Sequence, residues 1–152
     1  GIHVVTPSKH AGSGDAARLA ALHRAGAKSG ARFRYEATVG AGLPVVMTLR
    51  NLIDTGDVPR SIAGLFSGTL AWLFNHYDGS RPFSELLAEA RAAGYTEPDP
   101  RDDLSGTDVA RKAVILAREA GWSLSLDQVD VENLVPYQLR EVPLPEFLQR
   151  LG

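Results

Sequence analysis

Twelve residues from Glu97 to Asp108 carry five carboxylates: Glu97, Asp99, Asp102, Asp103 and Asp108. Lys112 stands four residues beyond the last of them. Carboxylates held in fixed directions bind an ammonium group, and a lysine beside one can exchange a proton with a bound substrate. Pro98 and Pro100 interrupt the first half of the stretch. Each proline fixes its own φ and pushes its predecessor toward extended geometry, so this half is expected to be a stiff loop and not helix. In the second half Ser105 can cap a helix, with Asp108 three residues later as in a capping box. An apolar helical run then continues through Leu116 and Ala117. On such a helix Asp108 and Lys112 share one face. The same residues also suit a solvated acidic turn followed by a surface ion pair worth about 0.3–0.5 kcal/mol. The prolines and Gly106 favour the aimed loop, because a solvated turn has no need of that rigidity.

The chain has 152 residues and a net charge of −2. That length supports one domain with a real core. The charge gives no reason to expect nucleic acid or an anionic membrane as partner. With no cysteine there is neither a disulfide nor thiolate chemistry. No apolar run approaches the roughly 20 residues of a membrane span, and the opening GIHVVTPSKH lacks the basic-then-apolar order of a signal peptide. A dinucleotide-binding unit would show G-x-G-x-x-G after a strand. The nearest candidate, Gly40-Ala41-Gly42-Leu43-Pro44, lacks the third glycine and runs into a proline.

The elements that must position the acidic stretch are legible in outline. Ile2–Val5 reads as a short strand. Residues 14–28 read as a helix with Ala17, Leu19, Ala20, Leu22 and Ala25 on its apolar face, and His23 at its surface. Arg32–Val39 alternates, Phe33, Tyr35, Ala37 and Val39 against Arg32, Arg34, Glu36 and Thr38, and so reads as a half-buried strand. Pro44 starts a helix that reaches about Thr55. Val58–Phe66 reads as a further strand. Ser67-Gly68-Thr69 leads into a helix carrying Leu70, Trp72, Leu73 and Phe74. Another helix spans 84–93 and ends at Gly94. Residues 107–120 form the clearest helix, Val129–Val131 a candidate edge strand, and Pro145 the start of a last short helix. Helices and strands mix without strict βαβ alternation. The expected class is α+β: a mixed, mainly antiparallel sheet with helices on one face.

The string GYTEPDPRDDLSGTDVARK at Gly94–Lys112 resembles the signature of homoserine dehydrogenases. YEATVGAGLPV at Tyr35–Val45, GLFSGTLAWLFN at Gly64–Asn75 and VVTPSKH at Val4–His10 resemble further segments of that family, in its order. Ser8 departs from the asparagine the family usually has before Lys9. The resemblance implies the family's middle domain. Residues 1–10 would then be the end of a nucleotide-binding domain and its linker. Residues 11–152 would be the catalytic, substrate-binding and dimerisation domain, with the Rossmann nucleotide-binding domain largely absent. It further implies a cytoplasmic homodimer in amino-acid biosynthesis that interconverts L-homoserine and L-aspartate 4-semialdehyde with NADP or NAD.

The resemblance also implies roles. Lys112 would transfer the proton or act as a fixed positive charge at the reacting oxygen, with Lys9 across from it. Glu97, Asp103 and Asp108 would bind substrate, Asp103 at the amino group, and Tyr95 would donate a hydrogen bond. Asp99 and Asp102 read as loop scaffolding. Thr6 and Lys9 would lie at the cofactor. A monovalent cation, Na+ in the simplest case, would take the Glu36 carboxylate and the carbonyls of Val39, Ala41 and Leu43.

Two other classes compete. The chain as it stands could be a dimerisation and substrate-pocket module with no activity of its own, which the missing dinucleotide fingerprint favours. A divalent-metal hydrolase is weaker, because His3, His10, His23 and His76 show no ligand spacing.

Overall fold

Capping and helix-forming residues set most of this fold, and strand pairing very little of it. The computed structural model describes residues 1–151. In chain order it contains β1 (Val4–Val5), α1 (His10–Ser13), α2 (Ala16–Ser29), β2 (Phe33–Arg34), α3 (Val45–Asp54), α4 (Gly68–His76), α5 (Phe83–Ala92), α6 (Arg101–Leu104), α7 (Thr107–Glu119) and α8 (Leu144–Arg150). Short 3₁₀ turns lie at Glu36–Thr38, Leu126–Gln128 and Tyr137–Leu139. The chain divides into two compact units, Gly1–Phe66 with Ala110–Asp130, and Ser67–Val109 with Val131–Gly152.

In the first unit β1 and β2 pair in parallel, with Val4 opposite Phe33 and Val5 opposite Arg34. The core gathers Tyr35, Val39, Val46, Ile115 and Leu116, with Phe33, Leu49, Ile62 and Phe66 packed against it. Asp15 caps α2 by accepting from the Arg18 amide. Proline cannot cap α3 with a side chain, so a distant residue supplies the acceptor. The Glu36 carboxylate accepts from the amides of Val46 (2.9 Å) and Met47 (3.0 Å), where the helix dipole favours negative charge.

In the second unit Leu73, Leu86, Leu87, Ala90, Leu104, Val135, Leu139 and Phe147 form the core. Ser67 caps α4 by accepting from the Leu70 amide at 3.1 Å. Gly106 joins α6 to α7 at φ +72°, and a Cβ there would meet Val131 Cγ1 at 2.8 Å. Only glycine satisfies both the left-handed backbone and the missing space.

The helices expected from sequence are present within a residue or two. The expected mainly antiparallel sheet is not: among the described residues the only ladder is the parallel β1–β2 pair. Two causes account for this. Beyond Phe33–Arg34 the alternating segment turns, because the Thr38 hydroxyl and amide both return to the Tyr35 carbonyl, at 2.6 and 3.1 Å. Such local bonds compete with a strand ladder. Val58–Phe66 carries Pro59 and forms neither helix nor strand. It lays Ile62 and Phe66 on the core, while Val58 and Leu65 stay 77% and 85% exposed. Val129–Val131 likewise follows a 3₁₀ turn closed by a Ser125–Gln128 capping box and forms no edge strand. Ser105 ends α6 in right-handed geometry, and its hydroxyl oxygen accepts from the amide of Thr107, the first residue of α7, at 3.3 Å. The expected stiff loop therefore stops at Pro100, whose φ of −61° suits a helix start. Leu22, assigned to the apolar face of α2, is 38% exposed, and Leu19 is the buried residue of that helix.

Leu86 is fully buried in the second core. Leu86→Ala should lower the unfolding free energy by about 2–5 kcal/mol in urea titration. A loss under about 1 kcal/mol would place the core elsewhere.

Candidate active site

The acidic loop lies in the second unit, and a threonine from α4 organises it. At the end of α5 the Gly94 amide donates to Arg91 (3.0 Å) and the Tyr95 amide to Ala90 (2.9 Å), which turns the chain away. Asp103, on α6, reaches back over the loop. Its Oδ2 accepts from the Glu97 amide at 2.8 Å. Its Oδ1 lies 2.8 Å from the Thr69 hydroxyl, which is also 2.7 Å from the Tyr95 carbonyl. One hydroxyl proton thus serves two acceptors. Tyr95, Glu97 and Asp103 are drawn together in this way. The Tyr95 ring is 53% exposed, with its centroid 5.4 Å from that of Trp72. Glu97 lines a cavity of about 500 Å³ with Ser84, Arg91, Thr96, Pro98 and Leu148.

Asp99 is committed to scaffolding. It pairs with Arg101 at 2.6 Å. Arg101 Nη1 donates to the carbonyls of Val142 (2.6 Å), Arg140 (3.1 Å) and Leu139 (3.4 Å). The guanidinium lies 5.2 Å from the centre of the Phe147 ring. The hydrogen bond from Arg101, opposed by partial burial, holds the Asp99 carboxyl below its ordinary 3.8. Asp102 is exposed, and its carbonyl accepts from the Ser105 hydroxyl at 3.2 Å. Asp108 lies in the first turn of α7.

The remaining candidates belong to the first unit. Lys112, on α7, donates from Nζ to the Phe66 carbonyl at 2.6 Å. The Thr6 amide donates to the Arg34 carbonyl at 2.9 Å, and its hydroxyl accepts from the Ser8 amide at 3.0 Å. The Lys9 carbonyl accepts from the Ser13 amide and hydroxyl, at 2.9 and 2.8 Å, which fixes α1. The loop from Val39 to Leu43 is sharply bent. Gly40 and Ala41 take φ +80° and +52°, and Leu43 donates to the Gly40 carbonyl at 2.9 Å. A Cβ on Gly40 would meet Val45 Cγ2 at 2.6 Å. The Glu36 carboxylate and the Val39, Ala41 and Leu43 carbonyls offer oxygen alone, the donor a hard cation takes. Oxygen donors alone are what the monovalent cation implied by the resemblance would need; the Glu36 carboxylate already accepts from the Val46 and Met47 amides, and the Leu43 carbonyl from the Val45 amide at 2.9 Å.

Sequence reasoning missed three anchoring groups: Thr69, Arg101 and the buried cluster around Glu119. The Tyr35 hydroxyl and Arg50 (Nε at 2.6 Å, Nη2 at 3.0 Å) both donate to the Glu119 carboxylate. Burial, reinforced by Glu119, raises the Tyr35 hydroxyl's pKa well above the ordinary tyrosine range. Apart from the Arg101–Asp99 pair, whose members are two residues apart, no local signal marks these contacts, because their partners lie 26 or more residues away. Among the described residues, no group of three or more histidine and carboxylate side chains is arranged to hold a metal ion.

The described residues are α-rich, with a carboxylate loop tied by Thr69 and Asp103 in the second unit and Lys112 on α7 in the first, residue types suited to binding a small polar molecule. The homoserine dehydrogenase family model matches residues 44–148, and the chain belongs to that family. It is 57% identical over 149 residues to bifunctional aspartokinase/homoserine dehydrogenase 2 of Escherichia coli, covering 98% of this chain and 18% of that protein. It is 46% identical over 162 residues to homoserine dehydrogenase of Emericella nidulans, covering 99% of this chain and 44% of that one. A putative homoserine dehydrogenase from Archaeoglobus fulgidus superposes with a TM-score of 0.75 at 32% identity, covering 89% of this chain and 41% of that chain. The chain thus spans less than half the length of these relatives.

Because the folded Asp99 carboxyl is depressed, its contribution to stability is complete above the unfolded pKa, about 3.9. It is lost as pH falls through the lower folded value. Asp99→Asn should therefore destabilise the chain at pH 6, and the gap from the parent chain should close as denaturation is followed below the ordinary carboxylate range. A gap that stays constant through acid pH would mean that Asp99 acts through packing and not through its charge.

Proposed function

We propose that this chain is the catalytic, substrate-binding and dimerisation domain of a homoserine dehydrogenase, oxidising L-homoserine to L-aspartate 4-semialdehyde and running in reverse. The observation that carries this reading is family membership over the very residues that hold the acidic loop and Lys112. Residues 1–10 would close the nucleotide-binding domain, and 11–152 would form the catalytic domain of a cytoplasmic homodimer. The nicotinamide, NADP or NAD, supplies the hydride acceptor when bound, with Thr6 and Lys9 at its edge.

The protein's own groups then have two tasks. The first is to hold the substrate amino group. Asp103 is suited to it, because its orientation is fixed by neutral donors that leave its charge uncompensated by them. Glu97 and Asp108 add negative charge, and Tyr95 adds a hydroxyl. The second task is to handle the proton on the substrate hydroxyl as it becomes a carbonyl. Lys112 is assigned to take it, or to stabilise the developing oxygen charge, with Lys9 as the second cation. Its hydrogen bond to the Phe66 carbonyl gives the ammonium a fixed direction. Glu36 and the carbonyls of Val39, Ala41 and Leu43 would hold a monovalent cation.

In the complete enzyme, Lys112→Ala should lower kcat by about 10²–10⁴ while the homoserine KM changes little. Turnover retained within about tenfold would remove Lys112 from the proton path. Asp103→Ala should instead raise the homoserine KM, and an unchanged KM would move the amino group elsewhere. The second reading, a pocket and dimerisation module without activity, is favoured by the absence of a G-x-G-x-x-G fingerprint from these residues. It would lead if the folded, complete enzyme bound nicotinamide and turned over no homoserine.

A further inference from the structure

The Glu119 cluster has no part in the chemistry just described, yet its donors bracket one loop. Tyr35 immediately precedes Glu36, where the chain enters the loop. Arg50 stands one helical turn beyond Val46, where the chain has left it. Both donate to a single carboxylate on α7 whose side chain is 9% exposed. Arg50 also lies 5.0 Å from the centre of the Tyr35 ring. Glu36 ties the same two ends directly, through the Val46 and Met47 amides. Between these ties Gly40 and Ala41 adopt left-handed backbone, at φ +80° and +52°. A non-glycine residue keeps that conformation only where its surroundings impose it.

We propose that Glu119 is the positioning residue that fixes the carbonyls of Val39, Ala41 and Leu43 for a monovalent cation, acting through Tyr35 and Arg50. This rests on the cation assignment above. Lys112 and Glu119 are seven residues apart on α7, about two turns, and so lie on one face of it. One helix face thereby carries both the proposed proton-transfer group and the group that shapes the cation loop. Charge matters as well as shape. Two donors from α3 and one from the loop entrance converge on an anion, and a neutral amide of the same size cannot accept from all three as strongly.

The test is thermal unfolding of the complete enzyme in sodium chloride against choline chloride at equal ionic strength, so that screening is matched. The parent enzyme should show a sodium-specific rise in Tm. Glu119→Gln and Tyr35→Phe should each raise by about tenfold the sodium concentration needed for a given sodium-specific rise above the variant's own Tm in choline. Leu86→Ala, which weakens the second unit's core without touching the loop, should lower Tm and leave that concentration in place. Should Glu119→Gln fail to fold, Tyr35→Phe decides. Sodium requirements within about twofold of the parent in the loop variants, or an equal displacement in Leu86→Ala, overturn the proposal. A parent enzyme with no sodium-specific rise removes the cation assignment itself, and the proposal with it.

Discussion

A carboxylate withdrawn from water must be met by donors, and where those donors come from decides which segments are held together. Desolvating an unpaired charge costs several kcal/mol, so a buried carboxylate is tolerated only in an arrangement that supplies its partners. Glu119 is such a group in the first unit. Its partners lie 84 and 69 residues away in sequence, at Tyr35 and Arg50. Removing any one of the three would leave the others exposed to that penalty. The strand end, α3 and α7 are therefore fixed together by chemistry as well as by the apolar contacts of Val39, Val46, Ile115 and Leu116.

The second unit uses the same device on a less buried group. Asp103 meets the Glu97 amide and the Thr69 hydroxyl, and Thr69 also meets the Tyr95 carbonyl. Four residues from three segments are thus referred to one another through one hydroxyl and one carboxylate. Arg101 does the complementary work with a cation. It binds Asp99 on one side and three carbonyls between Leu139 and Val142 on the other. The acidic loop is therefore held from both of its flanks, and its direction does not depend on the prolines alone.

How much of this the sequence disclosed follows the range of the forces involved. Helices α2, α3, α4, α5, α7 and α8 were legible because apolar spacing, capping and proline placement act within a few residues. The non-helical course of Glu97–Pro100 was legible for the same reason. The sheet was not. A ladder needs a partner that only the tertiary fold provides, and here only two residues of Arg32–Val39 find one before Thr38 folds the backbone onto itself. The helical turn after Pro100 was missed because a proline that ends one conformation can equally start another. Thr69, Arg101 and Glu119 were invisible as anchors, since nothing near them in sequence reports a partner 34, 41 or 84 residues distant.

A carboxylate that organises its own loop keeps acceptor capacity, as lone-pair counting makes plain for Asp103. An ionised carboxylate offers about four acceptor positions on two oxygens. Asp103 spends one on an amide and one on a hydroxyl, both neutral donors. These contacts fix the plane and direction of the group and leave acceptor positions for a cationic partner. The opposite holds for Asp99, whose two oxygens already face a guanidinium across a fork of short contacts. An ammonium group approaching Asp99 would have to displace Arg101, and with it the carbonyl contacts that hold residues 139–142. The two aspartates are four positions apart and chemically identical. The charge state of their partners is what separates a group that can receive a cationic substrate from one already used to build the loop.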